Sequence, residues 1–544
     1  MIFGESQEED VGFFLTSKIH EKSVKPWVSL LKKKATYDIL IWNVYPCDPL
    51  RNACDIQKGT AIIMRKNLVA AVAALLMLIL PLSACFDQPQ DQPSQGTGEA
   101  VTIPPITIPT DPDERELTDT TAYTERLKTL FASSPVAPDS DFTYEENGDG
   151  IRITGYSGGE SVIVIPATLA EKPVTAIGEK AFADMTGLKA LSVPDSVTEI
   201  GFGAFAGCKN LTSLRTPVFT CEDNPYFGAL FGAKTYDAQG SAIPAGLSTL
   251  VLSGGDVIPD YAFYACRGLE AVSLPETITA LGDFAFYGCE ALVCVTTGHT
   301  ALTSVGEHVF TNCSSLLSLD LPATVERMGF AMLEGCGKLE SLTIPFVGGR
   351  TLEHLSEEEK EAIESGEAAD PVVETGYLGY LFGAAHYTFT VGYLPASLIT
   401  VTVLEGCSSI PANGFFECAS VREVILPDGV TSIGRRAFYG CEKLVSVTLP
   451  DSVVSLGDDA YHGCIRLESF TGGSGLAELG VQTFMNCVSL GTVILPDAVT
   501  HLPNACFSGC VTLKSLTAPG VQTRGEQVFR HCDGLKGTAW VPSN

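Results

Sequence analysis

Residues 433–453 read Ile433-Gly434-Arg435-Arg436-Ala437-Phe438-Tyr439-Gly440-Cys441-Glu442-Lys443-Leu444-Val445-Ser446-Val447-Thr448-Leu449-Pro450-Asp451-Ser452-Val453. The same pattern returns along most of the chain. It appears upstream as Ile177-Gly178, Ala181-Phe182, Met185, Leu188 and Leu191, then 23 residues later as Ile200-Gly201, Ala204-Phe205, Cys208, Leu211 and Leu214. The aromatic–cysteine phase recurs at Phe263/Cys266, Phe286/Cys289, Phe310/Cys313, Phe415/Cys418, Tyr461/Cys464, Phe484/Cys487, Phe507/Cys510 and Phe529/Cys532, with Leu333/Cys336 as a variant. A fixed period of this length, with Leu and Ile at constant offsets, marks a repeat solenoid. In each unit Ile-Gly-x-x-Ala-Phe-x-x-Cys predicts a compact turn, with Phe and Cys on one face of a short helical segment. Leu-x-x-Val-x-Leu-Pro predicts a strand that Pro terminates.

The expected fold is therefore a leucine-rich repeat solenoid over residues 177–544, one strand and one short helical turn per coil. About twelve coils at ~4.8 Å each would make a rod of roughly 60 Å. A chain of 544 residues would ordinarily form several globular domains, but a solenoid grows in one dimension. The formal net charge of −30 argues against nucleic acid or an anionic membrane surface as partner, since both require a basic patch. Eleven of the 18 cysteines stand at one repeat phase, which Met185 occupies in the first unit. Methionine cannot bridge, so the phase reads as a buried ladder of small apolar thiols, with disulfides or metal as the alternatives. These cysteines lack the CxxC pairing of a zinc site, and neither a metal nor a cofactor is expected.

Residues 64–84 carry a charged start, Met64-Arg65-Lys66-Asn67, then an apolar run from Leu68 to Leu80 and a small-residue ending. This is the layout of a secretory signal. The run is short of the roughly 20 residues that span a bilayer. Leu82-Ser83-Ala84-Cys85 resembles a bacterial lipobox, which implies diacylation of Cys85, cleavage before it and a lipid-anchored mature chain. Residues 1–63 then read as an over-long gene prediction or an unstructured extension, with translation beginning at Met64. Residues 85–140 are rich in Pro, Gln, Thr and Asp and predict an extended tether, interrupted by a short helix around Ala122–Phe131.

Residues 141–176 predict an N-terminal β-hairpin cap, turning at Asn147-Gly148-Asp149-Gly150. Glu145, Asn147, Asp149 and Gly150 mimic the start of a calcium loop, but its twelfth position is Tyr156 rather than Glu. On the repeat residues quoted above, residues 141–544 resemble the BspA-like leucine-rich repeat family of bacterial surface antigens. That resemblance implies surface display and adhesive binding to host matrix or other cells. Two insertions, 218–252 and 346–402, break the period and resemble each other at an offset of 151: Tyr226-Phe227-Gly228-Ala229-Leu230-Phe231 matches Tyr377-Leu378-Gly379-Tyr380-Leu381-Phe382. The second also opens an acidic helix at Ser356, running to about Ser365.

The histidines are scattered, no Ser/His/Asp order is defensible, and the glycines around Gly203 fall at repeat phases rather than phosphate-loop spacing. The chain is thus expected to be non-catalytic. Strand positions such as Ser341/Thr343, Ser446/Thr448 and Ser469/Thr471 form a smooth hydroxyl ladder. Aromatic residues, which favour binding hot spots, gather instead in the insertions: Tyr226, Phe227, Tyr236, Tyr377, Tyr380, Tyr387, Phe389 and Tyr393 are the candidate binding surface, or else they pack a wider coil. The expected function is a lipid-anchored extracytoplasmic protein binding an unidentified protein or glycan; the alternative is a structural spacer or envelope component without a ligand. Cys85→Ala should move the protein from the membrane to the soluble fraction on detergent phase partitioning, and a variant still in the membrane would refute the lipid anchor.

Overall fold

The computed structural model describes residues 120–535, except 130, 133, 222–223, 298–299 and 351–374. Residues 1–63, the expected leader at 64–84, Cys85 and the expected acidic helix from Ser356 to Ser365 lie outside the described residues. The rest winds into a β-solenoid of about 15 turns at 23-residue intervals. Each coil lays one main strand parallel to the next in strict register, as in Ser446↔Ser469, Ser469↔Thr492 and Thr492↔Ser515. A second, two-residue strand per coil pairs the same way on another side, as in Ser432↔Ser455 and Ser455↔Glu478. Inward residues of both sets, with the repeat Phe and Cys, make one continuous core.

The connecting turn differs from the expected helical segment. Two residues per turn take left-handed backbone, at Arg436 and Gly440 (φ 56 and 69) in the quoted repeat and at Asp459 and Gly463 in the next. An α-helix would direct N–H groups back along its own coil. Here alternate N–H groups point along the rod, Phe415 N–H donating to Ala437 O, Phe438 N–H to Ala460 O and Tyr461 N–H to Thr483 O, while Ala437 and Tyr439 N–H close tight turns on Gly434 O and Arg436 O of their own coil. Inter-coil bonds of this kind offset the cost of left-handed non-glycine residues, about 1–2 kcal/mol each. The Gly of Ile-Gly answers to a different demand. A Cβ on Gly434 would lie 2.5 Å from the Ala412 main-chain nitrogen, so neighbouring backbones can meet there only without a side chain.

The repeat aromatics stack coil on coil: Phe415–Phe438, Phe438–Tyr461 and Tyr461–Phe484 have centroids 5.0, 5.0 and 5.6 Å apart, nearly parallel. Beside them runs the cysteine ladder. Cys441 Sγ donates to Phe415 O at 3.1 Å, Cys464 to Phe438 O at 3.1 Å and Cys487 to Tyr461 O at 3.0 Å. These are buried free thiols. Burial pushes the Cys441 thiol up to about 12, which keeps its proton available for the carbonyl. A small apolar donor fits this place, which is why Cys repeats there.

Both insertions close single wide turns. Leu214 pairs directly with Leu250, and Leu342 with Val401. Inside them the 3₁₀ segments Phe227–Phe231 and Leu378–Phe382 replace the usual turn. Phe231 lies 5.9 Å from Phe205, its ring tilted, and Phe227 lies 5.1 Å from Phe263. These wide turns, and a further main strand at Val162–Val164, bring the number of turns above the twelve expected. The hairpin Phe142–Asn147/Gly150–Tyr156 forms as expected. Its second strand pairs parallel with Lys172–Ile177, and Tyr156 begins the aromatic stack against Phe182. Tyr461 is the one phenol among these stacked rings whose buried hydroxyl meets no partner among the described residues. Tyr461→Phe removes that unmet donor and should raise the denaturation midpoint by the equivalent of about 1 kcal/mol; a lowered midpoint would contradict the packing described.

Candidate binding surface

The sheet side is smooth, as the hydroxyl ladder predicts. Ser446, Thr448, Ser515 and Thr517 are exposed, and Ser341, Thr343, Ser469 and Thr471 are half-buried. One of its charged residues is Arg215, which grips Asp195 through two bonds of 2.8 and 2.9 Å. The Arg215 guanidinium holds the Asp195 carboxyl below the usual range; partial burial opposes this, and the Ser253 hydroxyl assists it.

The turn side is where the aromatic residues separate by role. Tyr226, Phe227 and Tyr377 are buried, so these three candidates pack the wide turns. Tyr226 Oη donates to Asn224 Oδ1 and Tyr377 Oη to Ala384 O, each at 2.9 Å. Burial raises Tyr377 to about 12, with the neighbouring Tyr380 adding to the effect. Tyr380 and Tyr387 are half-buried. Tyr236, Phe389 and Tyr393 are 41, 57 and 45% exposed.

The exposed Tyr236 does not stand alone. Its ring is 4.4 Å from Tyr261, which stacks 5.1 Å from Phe284, which stacks 5.0 Å from His308. Phe330 follows edge-on at 6.1 Å, and Tyr380 edge-on to Phe330 at 5.3 Å. A row of rings thus runs from one insertion to the other along the turn side. Beside it Tyr264 and Tyr287 stack at 5.0 Å and wall a groove of ≈ 760 Å³ with Asp237, Arg267, Glu290 and Asn312. Arg267 Nε lies 3.0 Å from Glu290 Oε1, with both side chains well exposed. Asn312 Nδ2 donates to Tyr287 Oη at 3.3 Å. Burial raises the Tyr264 phenol above its ordinary range, with Tyr287 adding to the rise.

The second insertion begins a row at the phase of Tyr264 and Tyr287, not of Tyr261 and Phe284: Tyr387–Phe416–Tyr439–His462, with centroids 5.0, 5.0 and 4.8 Å apart. Its charge differs. Ala419 stands where the first row has Arg267, and Glu417 stands near Glu442; burial raises the Glu417 carboxyl, and Glu442 adds to the rise. Tyr261, Tyr264, Phe284, Tyr287 and Arg267 escaped the sequence reading because they belong to ordinary coils. Their signal was the 23-residue spacing of Tyr264 from Tyr287 and of Tyr261 from Phe284.

Among the described residues no group of His, Cys, Asp and Glu gathers to hold a metal ion. Among the same residues no helix is long and apolar enough to cross a membrane. Compared with known families, residues 163–225, 247–353 and 408–536 match the BspA type leucine rich repeat region. The chain belongs to that family. Among solved structures it is similar to a leucine-rich repeat protein from Bacteroides ovatus (21% identity, 74% of this chain and 81% of that one, TM-score 0.29). A leucine rich cell surface protein from Faecalibacterium prausnitzii is similar at 24% identity, over 72% of this chain and 97% of that one, with TM-score 0.28. The pneumococcal vaccine antigen PcpA shares 16% identity over 72% of this chain and 87% of its own, with TM-score 0.24. No curated protein sequence matches.

A carboxyl held low in the fold stabilises it above the unfolded-state value, about 3.9 for Asp, and that contribution disappears as pH falls through the folded value. Arg215→Ala should therefore cost less than about 1 kcal/mol at pH 7, given the pair's exposure. The difference from wild type should shrink progressively in denaturation curves as pH falls below about 3.9 and through the lower folded value; a constant difference would show that Arg215 acts independently of the Asp195 charge.

Proposed function

We propose that this protein is a non-catalytic, extracytoplasmic binding protein, held to the bacterial membrane by lipid on Cys85, whose turn side engages a protein or glycan. One observation carries the reading. A solenoid otherwise lined with small hydroxyls bears a row of stacked rings, Tyr236 to His308, beside a groove holding an arginine–glutamate pair. Aromatic and arginine side chains concentrate binding energy, and stiff rings lose little entropy when a ligand covers them. Tyr264 keeps its proton because burial raises it, so the groove offers donors and apolar edges rather than a base. Individual contacts of this size are weak, and display of many copies at a surface supplies avidity.

The test is solid-phase binding of the full chain to host matrix proteins and mucin, with Tyr236→Ala and Arg267→Ala alongside. The reading expects saturable binding that each substitution weakens by about thirty-fold, the loss of roughly 2 kcal/mol that marks a hot-spot side chain. Binding that survives both substitutions would remove this surface as the site. Absence of any binding would favour a spacer without a ligand.

A further inference from the structure

The tether helix, Thr121–Thr129, does not stand in a free stalk. It packs on the outer face of the main sheet, against the strands Thr249–Leu252, Ala271–Ser273 and Cys294–Thr296. Three outward side chains, Thr249, Ala271 and Cys294, lie in register beneath it. They are 1, 0 and 6% exposed, whereas Ser446, Thr492 and Ser515 at the same register position on uncovered strands are exposed. The covered position also changes chemistry. Beneath the helix the position carries Thr249, Ala271 and Cys294, whereas most other coils carry a hydroxyl or a charge there, Ala190 being among the exceptions, so the ladder becomes less polar where the helix lies.

One polar clamp completes the contact. Arg126 Nη2 donates to Glu270 Oε2 at 3.2 Å, and its guanidinium sits 5.5 Å from the centre of the Tyr123 ring. Tyr123 and Arg126 are one turn apart, so a single helical face presents both. A helix of this length is marginal in water by itself, so it forms as it docks. The chain is next fixed to the solenoid at Ala137, whose N–H donates to Val164 O at 2.9 Å.

We propose that this face is a helix-binding surface, masked in cis by Thr121–Thr129, and that its partner in trans is a short helix presenting an aromatic residue and an arginine one turn apart. This surface lies on the sheet side and does not rest on the turn-side groove. The short connection to Ala137 gives the resident helix an effective concentration of the order of millimolar, so a competitor must match that or bind more tightly. A partner that displaces the helix frees the tether from the sheet in the same step, coupling capture to the reach of the anchored chain.

Cys294 reports on the mask, because its thiol lies under the helix while Cys441 lies in the core. The experiment follows thiol labelling of both cysteines by mass spectrometry in the full chain, with a synthetic peptide of residues 118–132 as the probe. Arg126→Glu places like charges together and should speed labelling of Cys294 about ten-fold while Cys441 stays protected. Adding Glu270→Arg to that variant should bring the rate back toward wild type. Millimolar peptide should slow labelling of Cys294 in Arg126→Glu. An unchanged rate in Arg126→Glu, no protection by the peptide, or equal labelling of Cys441 would each overturn the proposal, the last by showing that the helix is part of the fold and not a removable cover.

Discussion

The whole structure depends on main-chain hydrogen bonds that run along the rod from coil to coil. A 23-residue coil is too short to satisfy its own polar groups, and buried N–H and C=O groups without partners are costly. Both strands, and every other N–H of the turn, therefore bond to the neighbouring coil, as Phe438 N–H does to Ala460 O. From that constraint the repeat follows. The Gly of Ile-Gly lets backbones approach, and left-handed residues aim the turn's N–H groups axially. The Phe stack fills the space between turns, and cysteines such as Cys441 and Cys464 donate to the preceding coil's Phe carbonyl.

The same register builds the surface. Any residue type repeated at one outward position becomes a row with about 5 Å between members, so Ser and Thr make a smooth hydroxyl face. Tyr261, Phe284 and His308 make a row of rings by the same rule. The insertions matter less as carriers of aromatic residues than as places where such rows begin. Tyr236 opens the first row and Tyr387 the second, while Tyr226, Phe227 and Tyr377 keep the wide turns packed. Exposed rings and core thus share one short stretch of sequence, and burial separates them.

The period, the hairpin at Asn147-Gly148-Asp149-Gly150 and the duplicated insertions were legible because each rests on local spacing. The turn was misread as helical because Phe and Cys three apart suit a helix and a left-handed double turn equally well. Only the axial hydrogen bonds distinguish them, and those are contacts between coils. Tyr264 and Arg267 were passed over because a ring within a regular coil looks like packing until its neighbours in space are known. The short helix near Ala122 was visible in the sequence, but its seat was not. The apolar change at Ala271 and Cys294 gains meaning only once the three strands lie side by side.

Native-state hydrogen exchange tests the axial bonding most directly. If the turns are tied to their neighbours, the amides of Phe415 and Phe438 should exchange as slowly as the strand amide of Val447, all through opening of the same coils. Rapid exchange at the two Phe amides, beside a protected Val447, would contradict the account and mean that the turns hold themselves together within each coil.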